Sequence, residues 1–240
     1  DPGCHSSQNE QDNRYYARLA GMPCLEPCSP QETKDMTRAA FELSMRHAQP
    51  VLLRTTTRVN HVRGPVEYGP LPETKPRAEM QINPRRFVPV PAVARVRHLA
   101  LLEALKKLRA EAETAPWNKT SGRGKIGFIA SGISRAYLKD ALADLNLTNK
   151  VRVLELGFTY PVPEKLIAKF VKPLDQVVVV EELEPLIENA VRAICQKKGI
   201  KTDIIGKGDL LPRVGEYSTE IVRNAAAKVA GLKVKAETVC

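Results

Sequence analysis

Gln176-Val177-Val178-Val179-Val180-Glu181-Glu182-Leu183-Glu184-Pro185-Leu186-Ile187-Glu188 sets an unbroken apolar run against an acidic stretch and a proline. Four consecutive valines read as a strand buried on both faces, the pattern of a parallel sheet covered by helices. Pro185 heads a helix predicted to reach Lys197, because proline is tolerated in the first helical turn. Working outward, Lys125–Ala130 reads as a strand, Arg135–Leu145 as a helix, Val151–Leu156 as a strand, Glu164–Phe170 as a helix, and Thr202–Ile205 as a strand. Strands alternating with helices in this way predict an α/β fold with a doubly wound parallel sheet and right-handed crossovers.

Ligands of such sheets sit beyond the carboxyl ends of the strands, which here are Ser131-Gly132, Gly157 to Tyr160, Glu181-Glu182 and Gly206 to Asp209. Ser131-Gly132-Ile133-Ser134 has neither the G-x-G-x-x-G spacing nor the Lys-Ser/Thr of a phosphate loop, so a plain strand-to-helix turn is the favoured reading. Glu181, Glu182 and Glu184 could form an acid pair or a metal site. The reading preferred for them is structural, since carboxylates oppose the dipole of the helix that starts at Pro185.

Upstream the pattern changes. Ser7 with Glu10 has capping-box spacing and predicts a helix through Tyr15, Tyr16, Ala17 and Leu19 to a stop at Gly21. Cys24–Cys28 reads as a short strand. Ser29-Pro30-Gln31-Glu32 starts a second helix with Met36, Ala39, Ala40, Leu43 and His47 on one face, and Val51–Thr56 is a second strand. Two strands and two helices are too few for a self-sufficient core, so strand partners are expected from residues preceding Asp1. Between Arg63 and Pro91 lie Pro65, Pro70, Pro72, Pro76, Pro84, Pro89 and Pro91, the composition of an extended connector. From Ala92 a helix carries Val93, Val96, Leu99, Leu102, Leu105 and Leu108 along one side, and Ser121–Gly124 reads as a Gly-rich turn. The division expected is therefore 1–62, a linker at 63–91, and an α/β unit over 92–240 that ends in a tail.

With 43% hydrophobic and 27% charged residues the 240-residue chain is of ordinary globular composition. Val177 to Val180 is far too short to span a bilayer, and no leader sequence is recognisable, so no membrane partner and a cytoplasmic location are expected. The net charge of +10 is spread among Asp and Glu, and only 5% of residues are aromatic, which argues against a nucleic-acid partner. Five cysteines without a second pair at zinc spacing argue against a metal site within the chain and for reduced thiols.

The densest polar chemistry is the loop His5-Ser6-Ser7-Gln8-Asn9-Glu10, which faces free backbone N–H groups at a helix start. His47 and His98 lie in helices. Arg58, beyond the second strand, suits either a carboxylate ligand or a surface ion pair.

Three stretches then resemble a known family. His5 to Arg14, Glu26-Pro27-Cys28-Ser29-Pro30-Gln31-Glu32 and Pro50 to Arg58 resemble the later half of the pyrimidine-binding domain in alpha subunits of indolepyruvate:ferredoxin oxidoreductases. These are thiamine-diphosphate enzymes of the 2-oxoacid:ferredoxin oxidoreductase class. Gly157 to Glu164, Val178 to Glu188 and Arg213-Val214-Gly215-Glu216 resemble their transketolase C-terminal-like domain.

The resemblance implies oxidative decarboxylation of aryl 2-oxoacids such as indolepyruvate to acyl-CoA. It also implies thiamine diphosphate, Mg2+ and [4Fe-4S] clusters in the parent enzyme, with a beta subunit, ferredoxin and coenzyme A as partners. His5, Ser6, Ser7, Gln8, Asn9 and Glu10 would lie near cofactor and substrate, with Arg58 as a candidate carboxylate partner. No Gly-Asp-Gly motif with a downstream Asn occurs, and the activating glutamate and cluster cysteines are absent. The chain is thus expected to be an internal fragment, inactive alone and binding no cofactor by itself, with a homodimer as one assembly. The alternatives are a non-catalytic α/β module that binds an acidic protein or RNA, and a transketolase or E1-type component.

Overall fold

The structure, a computed structural model, describes residues 1–5, 8–70, 79, 82–208 and 210–233. Its first part runs α1 (Arg14–Ala20), β1 (Cys24–Leu25), α2 (Pro30–His47), β2 (Leu52–Leu53) and α3 (Thr57–His61). After α4 (Pro84–Phe87) and α5 (Pro91–Ala112) come β3 (Asn118–Gly122), β4 (Ile126–Ser131), α6 (Ser134–Asp144), β5 (Arg152–Leu156) and β6 (Phe158–Tyr160). The chain continues through α7 (Glu164–Val171), β7 (Gln176–Val180), α8 (Leu186–Lys198), β8 (Asp203–Ile205) and α9 (Thr219–Val229). No helix among the described residues is long and apolar enough to cross a membrane.

The main sheet has the order β3-β5-β4-β7-β8. β5, β4, β7 and β8 are parallel, as the alternation of apolar strands and helices predicts. Successive residues of a strand face opposite sides, so Phe128, Ala130, Val178 and Val180 join a core with Leu138, Ala141, Val222 and Ala226 beneath α6 and α9. Ile129, Val177 and Val179 join the opposite core with Ile167, Phe170, Val191 and Ile194 of α7 and α8. The sheet is therefore doubly wound.

Two elements differ from expectation here. Asn118–Gly122 is an antiparallel edge strand beside β5 where a turn was expected over Ser121–Gly124. The expected tail contains α9, whose Ser218 hydroxyl accepts from Ile221 N and which buries Val222, Ala225 and Ala226. Strand β3 has one strand-forming residue, Thr120, and exists because β5 offers it a ladder.

α2 starts as its cap predicts. The Ser29 hydroxyl accepts from Glu32 N at 3.2 Å, the Glu32 carboxylate accepts from Cys28 N at 3.0 Å, and Pro30 opens the first turn. α1 starts later than Ser7-Glu10 predicts, at Arg14. Glu10 is drawn away by two backbone donors, Gly3 N at 2.6 Å and Gly215 N at 2.8 Å, while Ser7 lies outside the described residues. Gly21 at φ 65 ends the helix in the left-handed conformation.

β1 pairs in parallel with β2 and antiparallel with β6, which lies between β5 and α7. At least one strand partner of the first sixty residues is thus supplied downstream in the same chain, not by residues preceding Asp1. Leu25, Met36, Leu43, Leu108, Ala112 and Phe158 form the core that binds β1, α2, α5 and β6 together. Of the apolar side predicted for α5, Leu108 is buried and Val93 and Leu105 are half-buried, while Val96, Leu99 and Leu102 are exposed.

Candidate functional site

The crevice at the carboxyl ends of β4 and β7, where a doubly wound sheet binds ligands, is filled by charged side chains from the first sixty residues. Arg14 is buried there. Its Nη1 donates to Glu181 Oε2 at 2.6 Å, its Nη2 to Asp12 Oδ2 at 2.5 Å and to the carbonyls of Glu182 and Glu184 at 2.9 and 2.8 Å. The two Glu181 oxygens also accept from Ile187 N and Glu188 N, so this carboxylate caps α8 as the structural reading of the acidic stretch requires. Burial pushes Asp12 up, but the hydrogen bond and charge of Arg14 outweigh it and leave the group below its ordinary value. For Glu181 burial wins over Arg14 and the two backbone donors, and its affinity for a proton is raised.

A second pair sits beside the first. Arg54 Nη1 donates to Glu26 Oε1 at 2.6 Å and its Nε to Asn13 at 2.8 Å. The Glu26 carboxylate occupies the approach to the turn before α6; a Cβ on Gly132 would lie 3.3 Å from Glu26 Oε1, and Gly132 holds φ 55. Arg135 at the start of α6 reaches back to the first segment, donating to Glu26 O at 2.7 Å and to both oxygens of Glu32 at 3.0 and 2.5 Å. Burial raises Glu32, and the Arg135 hydrogen bond and charge more than reverse this, so its carboxyl lies below its ordinary range. On the other flank Glu182 accepts from Tyr217 N at 2.9 Å, while burial raises its proton affinity.

Two of the sequence-predicted site residues meet on one carboxylate that sequence reasoning missed. Glu216 Oε2 lies 3.0 Å from His5 Nε2, and accepts from Arg58 Nε at 2.9 Å and Nη2 at 2.7 Å. The other Glu216 oxygen is buried and has no hydrogen-bond partner. Beside this cluster opens a surface cleft of about 400 Å³ lined by His5, Thr57, Arg58, His61 and Val62. Tyr137 approaches from α6, its phenol pushed up to about 12 by burial and by the negative charges of Glu182 and Glu216. The Asp1 carboxylate accepts from Thr57 N at 3.3 Å and from the Thr57 hydroxyl, fixing the start of α3 that carries Arg58.

Gln8 and Asn9 are exposed, and Ser6 and Ser7 lie outside the described residues. Glu10 staples Gly3 to Gly215 and is spent on structure. The residues that organise the crevice, Arg14, Glu26, Arg54 and Arg135, carry one available signal: Glu26 and Arg54 each directly follow a short apolar strand, which is where an α/β sheet places its polar groups.

Thiamine diphosphate with its metal needs a diphosphate cradle and several oxygen ligands. Among the described residues no group of three or more His, Cys, Asp and Glu could hold a metal ion. The turn before α6, the natural anion position, already faces the Glu26 carboxylate. The described residues do not by themselves fit that group.

Comparison with known proteins accords with the earlier resemblance. The family model described as "Indolepyruvate oxidoreductase domain" matches residues 117–228. The chain is 47% identical over 237 residues to the indolepyruvate oxidoreductase subunit IorA of Methanothermobacter marburgensis, covering 97% of this chain and 38% of that protein. It is 46% identical over 240 residues to the subunit of the same name from Pyrococcus abyssi, covering 97% and 37%. Among solved structures, a split-gene transketolase described as an inactive beta4 tetramer aligns at a TM-score of 0.49 and 16% identity, over 89% of this chain and 59% of that one. The chain spans less than two fifths of the length of the curated relatives it matches. Over nearly its whole length the chain is a homologue of subunits named IorA, and its residues 117–228 match the indolepyruvate oxidoreductase domain.

Proposed function

We propose that the chain is part of the alpha-type subunit of an oxidoreductase that oxidatively decarboxylates aryl 2-oxoacids, indolepyruvate among them, to acyl-CoA. Electrons pass to ferredoxin, and the complete enzyme carries thiamine diphosphate, Mg2+ and [4Fe-4S] clusters outside this segment. The observation that carries this reading is the identity of 46 to 47% with IorA subunits along nearly the whole segment. In this reading residues 1–62 are the later part of a pyrimidine-binding domain, 63–91 a linker, and 92–240 a transketolase C-terminal-like unit that acts as its scaffold. The complete enzyme is cytoplasmic and works with a beta subunit.

His5 and the residues that follow it border the substrate cavity, and Arg58 meets the 2-oxoacid carboxylate. Support for the latter is the exposed Arg58 guanidinium, which spends only Nε and Nη2 on Glu216. The complete subunit with its small partner is expected to reduce a viologen dye when given indolepyruvate and coenzyme A. Absence of turnover with any aryl 2-oxoacid would overturn the activity. Turnover with an Arg58→Met variant at unchanged KM would remove Arg58 from the site.

A further inference from the structure

We propose that the groove between α7 and the α8–β8 connection is a docking surface for the acidic face of another protein. Lys165, Lys169, Lys172, Lys198 and Lys201 line this cleft of about 660 Å³, with Ala168, Gly199 and Ile200 as the remaining lining. No carboxylate lines it, and none of the five lysines makes an ion pair among the described residues. At the rim Lys197 pairs with Glu164 at 3.4 Å. Positions 165, 169 and 172 fall on one helix face, so α7 presents like charges at spacings that repel.

Neutralising the helix dipole accounts for only part of this set. Lys169 and Lys198 do lie in last turns, where cations are favoured. Lys165 lies in the first turn of α7, where the dipole opposes it, and Lys201 lies beyond α8. The floor is rigid: the Thr202 hydroxyl is within hydrogen-bond distance of the Val171 and Leu174 carbonyls, at 3.1 and 2.9 Å, and Ala168 and Ile200 pack on the core. A groove held open in this way needs no ordering before a partner arrives.

The chemistry favours a protein over a nucleic acid. The lining contains no aromatic ring for base stacking and no guanidinium fork for phosphate. The carboxyl ends of α7 and α8 lie at the groove and their carbonyls repel phosphate, while the amino end of α7 beside Lys165 is already capped by the Glu113 carboxylate, which accepts from Lys165 N at 2.9 Å and Leu166 N at 2.7 Å. Mobile ammonium groups in a row suit the scattered carboxylates of an acidic protein surface, which they would steer over a Debye length.

The test uses the whole chain and fluorescein-labelled poly-L-glutamate, followed by anisotropy at about 50 mM salt. Lys169→Glu/Lys172→Glu in the groove is compared with Lys139→Glu/Lys228→Glu on α6 and α9, which lie on the opposite face of the sheet and lower the net charge equally. The groove variant is expected to weaken binding by about tenfold or more, and the control to stay within about twofold. Thermal melts of all three proteins should coincide. Equal weakening by both variants, or no saturable binding to poly-L-glutamate, would overturn the proposal. So would tighter binding of a uridine oligonucleotide of equal charge, which would assign the groove to RNA instead.

Discussion

Arg14 and Glu181 are 167 residues apart in sequence and 2.6 Å apart in the fold, and both are buried. Arg14 belongs to the helix before β1, and Glu181 directly follows β7, the neighbour of the central strand β4. Their pairing places the first segment of the chain on the crevice where a sheet of this topology would otherwise accept a ligand. The same carboxylate caps α8, so one ion pair ties two structural tasks together.

Arg14→Met should strand Glu181 and Asp12 as uncompensated buried carboxylates and cost about 3–5 kcal/mol. Arg14→Met with Glu181→Gln should recover part of this, because the neutral amide leaves no uncompensated charge at that position and its oxygen still accepts from one of Ile187 N and Glu188 N. Urea unfolding of the four members of the cycle measures the coupling; additive effects would show that the pair is not felt as a unit.

Glu32→Gln should lower stability at neutral pH by about 2 kcal/mol, an amount reduced by the partial exposure of Glu32. The native carboxyl is held by Arg135 below its ordinary value of 4.5, so its contribution is complete above that pH and is lost as pH falls through the lower, folded value. The variant should therefore show a shallower acid limb in urea midpoints measured below pH 4.5.

Lys207 gives a slope of the same sign at alkaline pH. Burial pulls its ammonium from 10.5 down to about 8, although it donates to Pro212 O and to the Tyr217 hydroxyl. Between those values the unfolded chain binds the proton and the native one sheds it, so this group adds stability as pH rises from about 8. Lys207→Met should remove that rise from a pH series of chemical denaturation.

Limited proteolysis should cut first in the connector at 63–91, because β1 and β2 are held by β6, Arg135 and the shared apolar core. The two products are expected to co-elute in size-exclusion chromatography until denaturant is added. Separation without denaturant would show that these contacts do not hold the segments together.

Glu216→Gln should release His5 and Arg58 from their common anchor while leaving the melting curve nearly unchanged, since both partners are largely exposed. Faster amide exchange at residues 3–5, with β4 and β7 unaltered, is the expected signature. Unchanged exchange in the loop would assign its order to Glu10 and Asp1.

Much of the architecture is legible in order along the chain. The valine run of β7, the alternation from Ile126 to Ile205 and the Ser29-Pro30-Glu32 start of α2 are local signals, since period and cap chemistry depend on residues a few positions apart. The family, too, is legible in short stretches such as Ser29 to Glu32 and Val178 to Glu188. Only the tertiary structure decides that β3 forms, that β6 is the partner of β1, and that Glu10 serves Gly215 in place of a helix cap. It alone brings His5 and Arg58 onto Glu216, and Arg14 onto Glu181. Strands of two or three residues have no stability apart from their ladder, and a buried charge chooses its partner by position in space. Neither choice leaves a periodic mark in the sequence.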